Sequence, residues 1–271
     1  MMKTRLDVLL TERGLAESRA KAQALIMAGQ VRVDGQVTLK PATVISVTST
    51  LTVDSGPRFV SRGGEKLDAA LQAFGIQVEG LICADIGAST GGFTDCLLQR
   101  GAARVYAIDV GKGLLYWKLR NDPRVIVMEE TNARYVESLP EPIDLVTVDA
   151  SFISLKILLP VAKAWLAPRQ APPFPLKMGE EKEEGIIALI KPQFEAGRKD
   201  VSRGEGVIRS PQIHRQVLLD VLTFAVQCGL NVSGLIRSPI LGPKGNVEFL
   251  AWLRRTVGPS PLEDWLEQVV P

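Results

Sequence analysis

Two lysines and two carboxylates stand where an α/β chain places reactive groups. Lys66 lies in SRGGEKL, Asp149 closes the apolar run IDLVTVD, Lys191 closes IIALIK just before Pro192, and Glu248 interrupts NVEFLAWL. Ligands of open α/β sheets sit outside the carboxyl ends of the strands, so polar residues just past those ends are the candidates for chemistry. A lysine works as a base only when burial or a neighbouring cation disfavours its ammonium form. Lys191 beside Lys66 meets that condition, with Asp149 and Glu248 orienting the amines. Such a group suits a poor nucleophile such as a ribose 2′-hydroxyl. On spacing alone, two structural salt bridges at strand ends are an equal reading.

A second feature lies upstream of three of these residues. The stretch DIGASTGGFTD, Asp85 to Asp95, follows an apolar run (80–84) and precedes a helical pattern from Phe93 to Arg100. Gly87, Gly91 and Gly92 let the backbone turn sharply and approach a ligand without a Cβ in the way. No lysine follows Gly92, so the phosphate-cradling pattern G-x-x-x-x-G-K-[ST] is not met. About twenty residues on, Val105 to Ile108 read as the next strand, ending in Asp109, whose carboxylate can accept from ribose hydroxyls. A glycine turn with an acid at the next strand end describes an adenosine site. Without the diphosphate pattern G-x-G-x-x-G, S-adenosylmethionine is favoured over NAD.

These groups need a frame. The strand pattern at 81–86, 104–109, 124–128, 143–149 and 186–191, with helices between, predicts a doubly wound, mainly parallel α/β sheet. Val232 to Arg237 and Asn246 to Leu253 predict two further strands with no intervening helix, hence an antiparallel finish. Residues 168–185 are proline-rich, then acidic, and read as a mobile surface insertion. The N-terminal 53 residues form a separate small α+β unit. A helix is expected over Arg5 to Arg13, and a second over Glu17 to Ala28 with Ala20, Ala24, Leu25, Met27 and Ala28 as its small and apolar contacts. A hairpin then turns at Asp34-Gly35. Residues 54–62 read as a linker, 63–257 as the second domain and 258–271 as a tail.

Composition sets the class. Apolar residues make up 46% of 271, enough for a core. Residues 1–66 hold ten Lys/Arg against six Asp/Glu, while the whole chain carries only +2, so the front unit is basic and a polyanion is its expected partner. Cys83, Cys96 and Cys228 are far apart and form no C-x-x-C, so no metal site or disulfide framework is indicated. No apolar run of 18 residues and no signal-peptide pattern is present, and a cytoplasmic protein without a membrane role is expected, with a monomer favoured. His214 reads as a surface or capping residue.

The N-terminal stretch SRAKAQALIMAGQVRVDG resembles the S4-like RNA-binding module, which implies RNA contacts by Arg5, Arg19, Lys21 and Arg32. The stretches VSRGGEKL, DIGASTGGFTDCLL, VDASFISL, KPQFEAG and GNVEFLAW, in this order behind that module, resemble the TlyA family, historically also labelled hemolysin A. The resemblance implies a Rossmann-like, FtsJ-like methyltransferase domain acting on a cytidine ribose 2′-hydroxyl of ribosomal RNA, with ribosomal RNA or ribosomal subunits as partner. It assigns catalysis to Lys66, Asp149, Lys191 and Glu248. It assigns the S-adenosylmethionine site to Asp85, Gly87, Ala88, Ser89, Thr90, Gly91, Gly92, Phe93, Asp109 and Val110, with Thr131 and Asn132 near the adenine. Further RNA contacts are expected at Arg62 and Lys244. Two other readings stay open: an assembly factor with an inactive methyltransferase fold, and a membrane-active hemolysin.

Overall fold

A computed structural model of the chain describes residues 2–54, 56–167, 184–197, 205–255 and 261–270. The chain divides into two compact units, Met1–Arg58 and Phe59–Pro271.

In the first unit, β1 (Lys3–Arg5) leads into α1 (Leu6–Glu12) and α2 (Arg19–Met27), followed by β2 (Val31–Val33), β3 (Gln36–Val37), β4 (Val44–Ser46) and β5 (Leu51–Val53). β3, β2 and β5 form one small sheet, and β1 pairs with β4. The hairpin turns where expected. Asp34 and Gly35 both have positive φ, 49° and 84°, the requirement of a tight primed turn. Ser18 caps α2 by accepting from the Lys21 backbone N–H. The buried face of α2 differs from the sequence reading. Ala22 and Ile26 enter the core with Leu6, Leu9 and Leu10, whereas Ala20 and Ala24 face solvent and Met27 is 62% exposed. Starting the helix at Arg19 rather than Glu17 does not change its period. The hydrophobic stripe is narrow, and the small alanines outside it misled the assignment.

The second unit opens with α3 (Gly63–Phe74), β6 (Ile82–Ile86), α4 (Gly92–Gln99), β7 (Arg104–Ile108), α5 (Trp117–Arg120) and β8 (Val125–Met128). It continues through β9 (Leu145–Val148), α6 (Leu155–Trp165), β10 (Gly185–Ile190), α7 (Pro192–Glu195), α8 (Pro211–Gln227), β11 (Asn231–Arg237), β12 (Phe249–Arg254) and α9 (Leu262–Val269). The strand order is β11-β12-β10-β9-β6-β7-β8. β10, β9, β6, β7 and β8 run parallel, and β12 is antiparallel to both its neighbours. The sheet is therefore the expected mainly parallel one with an antiparallel finish. Buried apolar side chains cover both faces, which explains the near-continuous apolar runs of β9 and β10.

Three sequence assignments change. Phe59 is 2% exposed and packs in the second unit, so the expected linker 54–62 ends earlier than its composition implied. The expected tail 258–271 contains α9, which buries Leu266 and Val269 against the sheet layer; its amphipathic pattern is only two turns long and was too short to weigh. His214 is not a surface residue. It is 6% exposed, its Nε2 lies 2.9 Å from the Ile208 carbonyl, and its ring meets Phe249 edge-on. The expected insertion lies outside the described residues over 168–183, and Gly185 belongs to β10.

Candidate active site

The loop from β6 to α4 is built on left-handed backbone. Gly87 and Gly91 have φ of 85° and 97°, and Ser89 has φ of 50°. A Cβ on Gly87 would lie 2.7 Å from the Asp149 carbonyl oxygen, so only glycine allows this loop to pass so close to the end of β9. Asp85, at the base of the loop, is wholly buried. Its carboxylate accepts from the hydroxyls of Thr94 (2.7 Å) and Thr147 (3.1 Å), and burial pushes its pKa up to about 7. Asp85 thus braces the loop from beneath, without an open face for a ligand.

Asp109 ends β7 half-buried beside the same loop. Its two oxygens accept from the backbone N–H groups of Ser89 (2.8 Å) and Gly111 (2.7 Å). A carboxylate has about four acceptor positions, so capacity remains for two hydroxyls. The Thr131 backbone N–H donates to the Asp109 carbonyl at 2.9 Å, which lays Thr131 and Asn132 along this edge; Val110 is 70% exposed there. Glu129, unmarked in the sequence reading, holds the facing segment. It accepts from the backbone N–H groups of Gly113, Leu114 and Leu115 and from Arg120, and its pKa falls to about 2, chiefly through Arg120.

Next to the loop the two lysines and two carboxylates expected at the site come together. Lys66, Asp149, Lys191 and Glu248 line one cleft of about 460 Å³ with Gly87, Ala88, Ser89, Thr90, Gly92 and Phe93. Lys66 Nζ lies 2.5 Å from Glu248 Oε2, and Gln193 Nε2 donates to the other Glu248 oxygen at 3.3 Å. Lys191 Nζ lies 2.6 Å from Asp149 Oδ1 and donates to Ser151 Oγ at 2.9 Å. Both lysines and Glu248 are buried. Burial raises the Asp149 pKa, outweighing the opposing pull of Lys191. Arg62, exposed, also lines the cleft; Lys244 is exposed on the turn before Glu248, outside the lining.

Sequence reasoning missed an exposed aromatic that stands one ring away from Lys191. Phe152 is 90% exposed and sits at φ 64°, a backbone state that costs a non-glycine residue about 1–2 kcal/mol. Its ring packs on Phe194 at 4.9 Å between centroids, and Phe194 in turn lies 5.7 Å from Lys191 Nζ. The signal was an aromatic inside VDASFISL, two residues beyond a strand-end acid and its alanine, but nothing in the pattern separated it from a core residue.

Residues 59–255 match the model of the FtsJ-like methyltransferases, and residues 4–50 that of the S4 domain. A Mycobacterium tuberculosis protein named 16S/23S rRNA (cytidine-2′-O)-methyltransferase TlyA is 47% identical over 276 residues, covering 99% of this chain and 97% of its own. The chain belongs to the TlyA family. Another relative, named Hemolysin A, from Brachyspira hyodysenteriae, is 44% identical over 250 residues, 91% of this chain and 98% of its own. A solved structure from Streptococcus thermophilus carrying the hemolysin label superposes with a TM-score of 0.68 at 42% identity, over 99% of this chain and 96% of that one. The hemolysin label thus travels with the TlyA fold. Among the described residues of this TlyA-family chain, no helix is long and apolar enough to cross a membrane.

Proposed function

We infer that this chain transfers a methyl group from S-adenosylmethionine to the 2′-hydroxyl of a cytidine in ribosomal RNA. The observation that carries the reading is the shared cleft: a glycine loop of adenosine-site type and two buried lysine–carboxylate pairs open onto the same space. The donor set fits the cofactor. Asp109 keeps acceptor capacity for ribose hydroxyls, the loop has left-handed turns at Gly87 and Gly91, and Ser89 and Thr90 face the open side. S-adenosylmethionine, when bound, supplies a methyl carbon already activated by a sulfonium.

What remains for the protein is alignment and a proton acceptor. Lys191 Nζ is the acceptor for the proton of the 2′-hydroxyl. Asp149 fixes its Nζ from one side and Ser151 from the other. Lys66, held by Glu248 and facing the same cleft, places a cation near the reacting oxygen and stabilises its developing negative charge. Phe152, exposed and backed by Phe194, which lies beside Lys191, offers a stacking face for a base drawn out of its helix. The basic N-terminal unit supplies sequence-independent grip on the RNA backbone.

Two measurements test the reading. Mass-spectrometric mapping of ribosomal RNA incubated with the protein and S-adenosylmethionine should locate a 2′-O-methylated cytidine; unmodified subunits of both sizes would leave the inactive-fold reading standing. Calorimetry on Asp109→Ala should show cofactor binding weakened by about 1–3 kcal/mol. Unchanged affinity would remove Asp109 from the site.

A further inference from the structure

Asp7, in the first turn of α1, has a side chain that solvent does not reach. A buried carboxylate costs several kcal/mol unless charge and hydrogen bonds compensate it. Four N–H groups converge on this one. Arg5 grips it two-handed, Nε to Oδ1 and Nη2 to Oδ2, both at 3.0 Å. Arg19 Nε at 3.0 Å and Gln23 Nε2 at 2.8 Å share Oδ2. Hydrogen bonding, led by Arg5, holds the Asp7 carboxyl well below the usual carboxylate range.

An apolar side chain among Leu6, Leu9 and Leu10 would fill the same space without that desolvation cost, and buried ion pairs replaced by apolar groups are often no less stable. What an apolar side chain could not do is fix two guanidinium groups side by side. Arg5 and Arg19 remain 43% and 55% exposed. Asp7 takes only the Nε side of the Arg19 fork, and Nε with one Nη2 hydrogen of the Arg5 fork. The outer edges keep the remaining N–H groups, in the planar arrangement that matches phosphate oxygens. The two other cations of this unit expected to bind RNA are not organised in this way. Arg32 pairs with Asp54 at 2.8 Å where both are half-exposed, and Lys21 is exposed on a flexible stem.

We propose that Asp7 is a positioning residue that holds Arg5 and Arg19 as a preformed two-fork cradle for an RNA phosphate, and through them sets the affinity of this unit for RNA. The inference rests on the ribosomal-RNA reading above and deepens it. A preorganised pair binds without first ordering two long side chains. The idea separates from simple charge because the two make opposite forecasts for one substitution. Asp7→Asn is close to isosteric and adds one positive charge to a polyanion-binding surface. Charge alone therefore forecasts tighter binding with steeper salt dependence. Loss of the cradle forecasts weaker binding.

The experiment is equilibrium binding of the full-length protein to purified bacterial ribosomal subunits over a potassium chloride series, with thermal unfolding followed in parallel. Asp7→Asn is expected to bind about tenfold more weakly, with a shallower salt slope and unchanged affinity for S-adenosylmethionine. Tighter or equal binding by a folded Asp7→Asn overturns the proposal. Should that variant lose the melting transition of the unit, Arg19→Lys decides. It keeps the charge and leaves Asp7 paired with Arg5 and Gln23, and it is expected to lose about tenfold in affinity at an unchanged melting temperature. Wild-type affinity in Arg19→Lys overturns the cradle. A wild-type protein that binds neither subunit would instead sink the ribosomal-RNA reading, a result distinct from either.

Discussion

Lys66 and Glu248, 182 residues apart, meet at 2.5 Å, and the Glu248 carboxylate is closed to solvent. The pair ties α3, at the start of the second unit, to the residue that precedes β12. Breaking one partner of a buried pair leaves an uncompensated charge. Lys66→Met alone should therefore destabilise the second unit by about 3–5 kcal/mol in denaturant unfolding, and Lys66→Met with Glu248→Leu by less than the single change. Methyl transfer should be lost in both. Retained transfer in a folded double variant would reduce the pair to a structural clip.

Lys191 gives the sharper test of chemistry. Lys191→Ala should nearly abolish single-turnover methylation of saturating RNA while cofactor binding persists. Lys191→Arg should fail as well, because a guanidinium stays protonated and cannot accept the hydroxyl proton. Substantial transfer by the arginine variant would recast Lys191 as an electrostatic partner of Asp149.

Phe152 separates substrate handling from folding. With its ring 90% exposed and its backbone at φ 64°, replacement by glycine should cost no stability, since glycine adopts that conformation freely. KM for ribosomal subunits should nonetheless rise about tenfold through lost stacking on a base. An unchanged KM would assign the exposed ring no part in substrate binding.

His214 carries a pH dependence of stability. Burial lowers its pKa from the ordinary value of about 6.5, so the unfolded chain takes up the proton first as pH falls. Its contribution is complete above about pH 6.5 and is lost as pH drops toward the lowered folded value. Urea unfolding of wild type should thus weaken from pH 7.5 to 5.5 more than that of His214→Gln. Parallel slopes for the two proteins would show that other groups govern this range.

Legibility in the sequence followed the range of the interactions. The glycine turn, the alternating elements and the antiparallel finish are local patterns set by φ, period and strand length, and the structure keeps all three. Asp149, Lys191 and Glu248 were visible because each ends or interrupts an apolar run, and Lys66 because it opens the second domain in SRGGEKL, though only the folded chain shows that the four share a cleft. Asp7 was hidden for the opposite reason: an acid in the first turn of a helix looks like a dipole partner facing solvent, and its burial depends on Arg5, Arg19 and Gln23 together. His214 was hidden because its acceptor, the Ile208 carbonyl, lies in irregular chain with no periodic signal. Phe152 had no pattern that distinguishes an exposed ring from a packed one.

The placement of β12 has a consequence for synthesis on the ribosome. This strand follows every other strand of its sheet in the chain, yet it is seated between β10 and β11 and immediately follows Glu248. A nascent polypeptide can lay down the glycine loop, Asp109, Asp149 and Lys191 and still lack both the filling strand and the acid that holds Lys66. A premature stop codon after β11 and before β12, between residues 238 and 248, would leave a sheet with an open slot rather than a shortened edge. Glu248 and β12 therefore complete the cleft and the sheet together, after Lys66, Asp149 and Lys191 have already been made.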